Sequence, residues 1–535
     1  MQVRRLSVGL LGVLLACGGG DAAPDAAPAP DADPPDAVPR RCQIASDGPF
    51  WLEEGQPFNA LVRCDGDLGV AEAGLAFTAL PAGASFDAAT GALTWTPGLD
   101  QAATLRLEVT ATATGEVGYV VVGVADAFDA EGNVPVVDPA MYTHEFGLPV
   151  FHLAWHSDDP NYCLDAADRD YTAADVMAFG RAYVGAELRC RGAASRNFPK
   201  KSFTLKFAPG EHFDPPPGLA AFDGRKRVVL TQTFDDISYL RTRLAFAVWS
   251  GLDPQLLPLA QASAVVFVDG AYWGLYQLTD HVDEELLGDL GLSEAGNLYK
   301  SYSHDGNLRA VKNNGNAKAP PQLGYEQKDG EVVGDFTDLL ALLTWVSTAD
   351  DATFAADLDA TVRTEDFIDW YVFATALLAQ DSYGKNSYLY RDPAGADPRW
   401  RYLPWDMNHA FGQDWQSFRV PFDDEGRFDG WPTTTNGIWG RMAAQPALAA
   451  RIDARFAQAL AGPMSKASVL ARLDEMAAQV APSAARDQRK WGAEMQAWPW
   501  WSSRADWNDP AGEVAYIAQW VSDRWDYLAT LYPQP

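Results

Sequence analysis

Three polar residues in the second half of the chain have the types and the order that phosphoryl transfer requires. Asp381 and Asn386 lie in QDSYGKNSYLYRD with four residues between them, and Asp406 ends the apolar stretch RWRYLPWD. This chemistry needs one carboxylate to accept or orient a hydroxyl, and a carboxamide and a second carboxylate to hold cations against phosphates. The alternative is that these residues only cap turns, because aspartate is abundant in this chain.

The elements around these residues are predicted to bring them together. The run FIDWYVFATALLA, residues 367–379, predicts a buried helix that ends just before Asp381, and KNSYLYRD and RWRYLPWD each predict a strand. Asp381 and Asn386 then lie on a helix-to-strand loop, and Asp406 lies at the end of the following strand. Protein kinases place a catalytic Asp and a metal-binding Asn at this spacing, with a second metal-binding Asp on the next hairpin.

Two lysines at the start of an earlier strand are candidates for a phosphate contact. Lys200 and Lys201 precede the predicted strand Ser202 to Phe207, and Lys201 falls on the same side as Phe203 and Leu205. Lys201 is therefore predicted to point inward, toward the core or a cleft. An inward lysine requires a carboxylate or a phosphate as its partner, so a structural ion pair and a nucleotide contact both stay open.

The composition limits the classes of function. The chain has 535 residues, 47% of them hydrophobic, which is enough for two or three domains with full-sized cores. Its formal net charge is −31, from 41 basic and 72 acidic residues. That balance argues against a nucleic-acid partner, because nothing would neutralise a phosphate backbone.

The first residues predict export and lipidation. Residues 1–16 combine two arginines with a short apolar run, as in a signal peptide, and Leu14-Leu15-Ala16-Cys17 resembles a lipobox. Cys17 would become the lipidated N-terminus and anchor the protein in a membrane; an ordinary signal peptide with a chance cysteine is the alternative. Residues 17–41 predict a disordered Ala/Pro/Asp tether. The residue after Cys17 is Gly18 and not an acidic residue that would retain a lipoprotein in the inner membrane. Bacterial sorting therefore favours the outer membrane or cell surface.

Four further cysteines predict disulfides in an exported protein. They allow three pairings, of which Cys42–Cys64 and Cys163–Cys190 keep each bridge within one predicted domain.

Residues 42–127 predict a small antiparallel β-sandwich, because short β-rich runs alternate with Pro-Ala-Gly and Ala-Thr-Gly turns. The string LPAGASFDAATGALTWTP resembles bacterial immunoglobulin-like and cadherin-like domains, which implies a spacer or adhesion module.

Residues 142–535 predict an α+β body, with a β-rich lobe at about 142–300 and an α-rich lobe at about 335–535. A loop insert is predicted between the two lobes.

The body resembles the CotH family, named for spore coat protein H. The matching strings run in order: RGAASRNFPKKSFTLKF, VVLTQTFDDISYLRTRLAFAVW, VVFVDGAYWGLYQLTDHVDEELL with GNLYK, QDSYGKNSYLYRD, RYLPWDMNHAFG and WVSDRWDYL. The resemblance implies a divergent protein-kinase-like two-lobe fold that uses ATP with Mg²⁺ or Mn²⁺. It implies that Asp381 is the catalytic base or orients the acceptor hydroxyl, and that Asn386 and Asp406 bind metal.

The same resemblance implies the nucleotide contacts. Lys201, or alternatively Lys200, would contact the phosphates, with support from Arg191. Two positions depart from the family: Asp280 stands where members commonly carry Glu, near the lysine or the nucleotide, and Asn408 stands where they often carry a second acid.

The sequence thus predicts an exported lipoprotein kinase that transfers the γ-phosphoryl group of ATP to Ser or Thr hydroxyls of a surface or secreted protein. The alternative is a catalytically inactive, kinase-like adhesion or assembly lipoprotein.

Overall fold

The computed structural model describes residues 40–128, 137–157, 162–163, 170–424, 431–498 and 508–533, apart from the side chains at positions 380, 431 and 432. The predicted signal peptide, the predicted lipidation site Cys17 and nearly all of the predicted tether lie outside the described residues.

The N-terminal region is a β-sandwich. Its elements are β1 Cys42–Ser46, β2 Phe50–Glu53, β3 Phe58–Gly66, α1 Val70–Ala73, β4 Leu75–Phe77, β5 Ser85–Asp87, β6 Ala92–Trp95, β7 Ala103–Ala111 and β8 Glu116–Ala125. Two four-stranded sheets have the orders β1-β3-β6-β5 and β2-β8-β7-β4. Alternate valines such as Val62, Val109 and Val122 are fully buried between the sheets. The Cys42–Cys64 disulfide joins β1 to β3. The predicted Ig-like sandwich and this disulfide are confirmed, but the sandwich is not wholly antiparallel, because β2 pairs with β8 in parallel.

A nine-stranded sheet begins the second region. Its strands and one helix are β9 His144–Glu145, β10 Leu148–His156, β11 Thr172–Ala178, β12 Arg181–Tyr183, β13 Glu187–Arg191, β14 Ser202–Lys206, β15 Arg227–Gln232, α2 Arg241–Leu252, β16 Gln261–Val268 and β17 Ala271–Asp280. The order is β12-β11-β13-β14-β15-β17-β16-β10-β9, with β10 and β16 parallel. The central strands read as nearly continuous apolar runs because both faces of the sheet are covered. The Cys163–Cys190 disulfide, also as predicted, lies at this sheet.

Helices dominate the rest of the chain. The elements are α3 Glu284–Asp289, β18 Asn297–Ser301, β19 Tyr325–Asp329, α4 Thr337–Thr348, α5 Asp351–Thr361, α6 Thr364–Leu377, β20 Ser387–Arg391, β21 Arg401–Pro404, α7 Trp431–Thr435, α8 Gly437–Ala443, α9 Pro446–Ala461, α10 Lys466–Ala497 and α11 Pro510–Leu531. A small sheet has the order β19-β18-β20-β21. It pairs strands from both predicted lobes, and β19 forms within the insert that the sequence predicted to be a loop.

The long helix α10 joins the sandwich to the second region. Arg486 is fully buried, donates a hydrogen bond to the backbone carbonyl of Asp126, and lies 3.4 Å from the carboxylate of Glu145. The sandwich is therefore docked on the second region through a buried charged contact. Among the described residues, no helix combines the length and apolar character needed to span a bilayer.

The chain is thus multidomain, with a β-rich Ig-like region followed by a mixed α/β domain, as the sequence predicted at this level.

Candidate active site

Helix α6 delivers Asp381 to a buried turn. The helix is closed by Leu378 in the left-handed region (φ 50°), and a 3-10 turn, Gln380–Ser382, follows. The backbone N–H of Asn386 donates to Ser301 of β18, and the N–H of Trp405 donates to the carbonyl of Asn386. These bonds join the turn to strands β18 and β21, so the predicted helix-to-strand loop is fixed from both sides.

Four groups surround the carboxylate of Asp381, which is only 14% exposed. Lys385 Nζ lies 2.8 Å from Oδ2, and the amide of Asn386 donates to the same oxygen at 3.0 Å. His304 Nε2 lies 3.5 Å from Oδ1, and His409 Nδ1 lies 3.7 Å from Oδ2. Burial alone would raise the pKa of this carboxyl, but His304, His409 and Lys385 together hold it well below its usual value. Asp381 is therefore ionised at neutral pH.

Asp406 lies just beyond β21 and is exposed. Its φ of 58° is in the left-handed region, which Asp tolerates better than most residues. Asp381, Asn386 and Asp406 all line one cleft of about 810 Å³. The structure thus brings together the three residues that the sequence singled out first.

Cations line the same cleft. Arg191, at the end of β13, lies over the ring of Trp405 with its Cζ 5.1 Å from the centroid. Lys300, on β18, lies 5.6 Å from the same ring and 5.7 Å from that of Tyr388. Burial, together with the positive charge of Arg191, lowers the pKa of Lys300 from 10.5 to about 8. Such a poorly solvated ammonium gains strongly from an anionic ligand.

Two further arginines, Arg189 and Arg196, also line the cleft. Buried guanidinium nitrogens of both, Nε of Arg189 and Nε and Nη1 of Arg196, have no hydrogen-bond partner among the described residues. The sequence alone indicated no role for Arg189, Arg196 or Lys300. The available signal was their place in the strings RCRGAASR and GNLYK, but a basic residue in such a string does not reveal where it points.

Lys200 and Lys201 do not line the cleft. Lys200 is fully buried and donates to Asp487 Oδ1 at 2.6 Å and to the carbonyl of Leu275 at 2.7 Å. Lys201 is also buried, and its Nζ donates to the backbone carbonyl of Arg196 at 2.7 Å. Both lysines point inward, as predicted for Lys201. Lys200 forms an ion pair with Asp487, which is the structural role that the sequence left open for an inward lysine.

The two family departures also occupy defined positions. Asp280 is buried outside the cleft, where it accepts from Arg225 Nε at 2.8 Å and from the backbone N–H of Ala260 at 2.7 Å. Its partner is thus an arginine rather than either predicted lysine. Asn408 lines the cleft, and its Nδ2 donates to the carboxylate of Asp235.

The oxygen ligands in the cleft suit a hard divalent cation. Asn386 donates its Nδ2 to Asp381, which leaves Oδ1 as a ligand atom, and the exposed Asp406 lines the same cleft. Within the described ranges, no group of three or more His, Cys, Asp or Glu side chains is arranged to hold a metal ion. Mg²⁺ commonly takes one or two protein ligands and completes its shell with water and substrate phosphates. Asn386 and Asp406 therefore fit a hard divalent cation such as Mg²⁺ or Mn²⁺.

Comparison with known proteins decides the family. The family described as CotH kinase protein matches residues 188–528, more than half of the chain and all residues of the cleft named above. The chain belongs to the CotH family. The CotH domain is preceded by a match to the family described as "Putative Ig domain" over residues 52–124, within the β-sandwich.

A curated relative of the CotH domain comes from Bacillus subtilis (strain 168). Its name is "Inner spore coat protein H", and it is 25% identical over 296 residues, which cover 55% of this chain and 77% of the relative.

Proposed function

We propose that the CotH domain is a phosphotransferase that moves the γ-phosphoryl group of ATP to a Ser or Thr hydroxyl of a protein. One observation carries this proposal. Arg189, Arg191, Arg196 and Lys300 line one cleft, and none of them forms an ion pair with a carboxylate among the described residues. In a chain of net charge −31, such a cluster of cations suits an anionic ligand such as a polyphosphate.

The residues of the cleft divide into three roles. Arg191 and Lys300 bind the phosphates, with Arg189 and Arg196 further along the same wall. Asn386 and Asp406 hold the divalent cation, which when bound neutralises charge on the β- and γ-phosphates. Lys201, implied by the resemblance, supports this wall indirectly, since its Nζ donates to the backbone carbonyl of Arg196.

Asp381 orients the acceptor hydroxyl. Because its pKa is held low, it is a weak base and accepts a hydrogen bond without taking the proton early. This suits a loose transition state, in which the bond from the γ-phosphorus to the leaving oxygen is largely broken before the hydroxyl oxygen bonds. ADP leaves with the electron pair, and the hydroxyl proton passes late to Asp381 or the transferred phosphoryl oxygens. The divergent kinase-like two-lobe fold belongs to the same proposal.

A second candidate function is binding of a partner without turnover. It is favoured by the positions of two residues that the resemblance implied to lie near the nucleotide. Lys200 and Asp280 lie in buried ion pairs outside the cleft. On this reading the CotH domain and the Ig-like sandwich would together form an adhesion or assembly module.

The experiment uses the full chain, because Arg486 couples the sandwich to the CotH domain. The chain is incubated with γ-labelled ATP and Mg²⁺ or Mn²⁺, and ATP affinity is measured beside label transfer. Asp406→Ala is expected to abolish transfer, whereas Asp397→Ala, an acid 45% exposed on the turn between β20 and β21, is expected to behave as wild type. Absence of ATP binding and of labelling by the wild type would leave the adhesion function.

The proposal places the protein outside the cytoplasm as a lipoprotein anchored through Cys17, acting on an envelope or surface protein. The support is the lipobox and the spore-coat name of the Bacillus relative. Cys17→Ala is expected to move the protein from the membrane to the soluble fraction, and unchanged fractionation would contradict the anchor.

A further inference from the structure

His409 lies between two carboxylates that come from different parts of the CotH domain. Its Nδ1 is 3.7 Å from Oδ2 of Asp381, and its Nε2 is 3.5 Å from Oδ2 of Asp235. Asp381 follows helix α6, whereas Asp235 follows strand β15 of the nine-stranded sheet. The imidazole is 14% exposed, so water screens these two contacts only weakly.

Asp235 is held in place by the same stretch that carries His409. Asn408 Nδ2 donates to its carboxylate, and Gln413 Nε2 donates to its backbone carbonyl at 2.7 Å. An aspartate at position 408 would set a second carboxylate against Asp235, so asparagine suits this position in the chain. Asp235 is therefore a fixed anchor for the far side of the imidazole.

Charge favours the same arrangement. Burial alone would lower the pKa of His409, but its contacts with Asp235 and Asp381 raise it to about 10, which favours the imidazolium at neutral pH. Nδ2 of Asn408 also lies 2.9 Å from Nε2 of the ring. The other charged or titratable groups that face Asp381 are Lys385 and His304. Lys385 lies on the same turn as Asp381 and moves with it. His304 is 47% exposed, and among the described residues it forms no hydrogen bond or ion pair with the nine-stranded sheet.

We propose that His409 is a positioning residue that fixes the Asp381 carboxylate by an ion pair and ties it, through Asp235, to the nine-stranded sheet. This inference rests on the proposed function. Removing the imidazolium would let Asp381 shift relative to the cations that bind phosphate. A displacement of about 1 Å at a reacting group costs on the order of 100-fold in rate. The loss should therefore fall on kcat, because His409 touches Asp381 and not Arg191 or Lys300.

The test compares variants of the full chain in transfer of label from γ-labelled ATP to dephosphorylated casein, and in ATP binding by calorimetry. His409→Asn is expected to lower kcat about 100-fold, with the Kd for ATP changed less than about threefold. His409→Lys restores the cation and is expected to recover kcat to within about tenfold of wild type. The matched control is His156→Asn, which breaks an exposed His–Asp pair 2.9 Å long outside the cleft and should leave both constants unchanged.

A kcat for His409→Asn within about threefold of wild type would overturn the inference, as would a loss that appears in the Kd for ATP instead. If His409→Asn loses its cooperative thermal transition, Asp235→Asn decides, since it keeps the imidazole and removes only its anchor. Asp235→Asn is expected to lower kcat about tenfold, and a wild-type kcat would refute the anchor. If the wild type neither binds ATP nor labels casein, the proposed function fails and this inference fails with it. An active wild type with equally active variants sinks this inference alone.

Discussion

Lys200 and Lys300 are both lysines of the CotH domain, yet their surroundings predict opposite effects of replacement by methionine. Lys200 is fully buried and paired with Asp487, which also accepts from the backbone N–H of Leu275 and from the hydroxyl of Tyr239. Lys200→Met leaves that carboxylate buried without its cation. Removing one partner of a buried ion pair costs about 3–5 kcal/mol, so the free energy of unfolding should fall by that amount.

Lys300→Met should have the opposite sign. The pKa of Lys300 falls from 10.5 to about 8, and each unit corresponds to about 1.4 kcal/mol, which sets an upper limit of about 3.5 kcal/mol on the cost of holding this ammonium charged. Partial exposure reduces that figure, so we expect the variant to be about 1–2 kcal/mol more stable than wild type. Its affinity for ATP should fall about 10–100-fold, the worth of one charged hydrogen bond.

Urea titrations followed by tryptophan fluorescence give the two stabilities, and calorimetry gives the two affinities for ATP. The double variant Lys200→Met with Asp487→Leu should recover most of the stability lost by Lys200→Met, because no buried charge remains unpaired. A Lys200→Met variant that stays as stable as wild type and loses ATP binding would contradict the structural role assigned to Lys200. A Lys300→Met variant that binds ATP normally would contradict the phosphate contact assigned to Lys300.

Two buried acids give further predictions. Burial raises the pKa of Asp126 to about 7, because desolvation outweighs the opposing charge of Arg486. Between about pH 4 and pH 7, Asp126 is therefore protonated in the folded state and ionised in the unfolded chain. Stability should fall as pH rises through that window, by up to about 4 kcal/mol, and Asp126→Asn should flatten the curve measured by urea titration. Glu513 is fully buried, accepts from Arg241 at 2.6 Å, and meets both terminal nitrogens of Arg419 at 2.6 and 2.7 Å. Glu513→Gln should lower the free energy of unfolding by about 3–5 kcal/mol, which a urea titration at pH 7 would detect.

Matched controls exist for both acids. Lys466 and Asp526 form an ion pair of 2.6 Å in which Asp526 is 68% exposed, so Asp526→Asn should change stability by less than about 1 kcal/mol. Asp87 is an acid whose pKa is lowered, chiefly by a hydrogen bond from Thr90, and Asp87→Asn should leave the fall in stability between pH 4 and pH 7 in place. An Asp126→Asn curve as steep as that of the wild type would contradict the role assigned to Asp126.

Local sequence patterns were sufficient to predict which residues come together where those residues are close in sequence. Helix α6, the turn after it and strands β20 and β21 follow one another, so the placement of Asp381, Asn386 and Asp406 in one cleft followed from neighbouring elements. The same holds for the paired strands β7 and β8 and for the two disulfides, whose cysteines are separated by 22 and 27 positions.

Distant partners could not be predicted in this way. The inward direction of Lys201 was readable from strand alternation, but alternation gives a face and not a partner. Lys200 meets an aspartate 287 positions further along, on α10, and no periodicity encodes that meeting. No local pattern indicates the contact of His409 with Asp235, because that contact requires β15 to pack beside the turn that carries Asp381.

The sequence by itself determined most of the elements, the Ig-like sandwich, the family strings and the trio of Asp381, Asn386 and Asp406, because periodicity and turn chemistry act over short stretches of chain. Only the tertiary structure decided which cations face that trio. Lys300 and Arg191 reach the cleft from strands β18 and β13, whereas Lys200 turns into a buried ion pair. The physical reason is that the free energy of burying a charge depends on which partner the folded chain brings beside it.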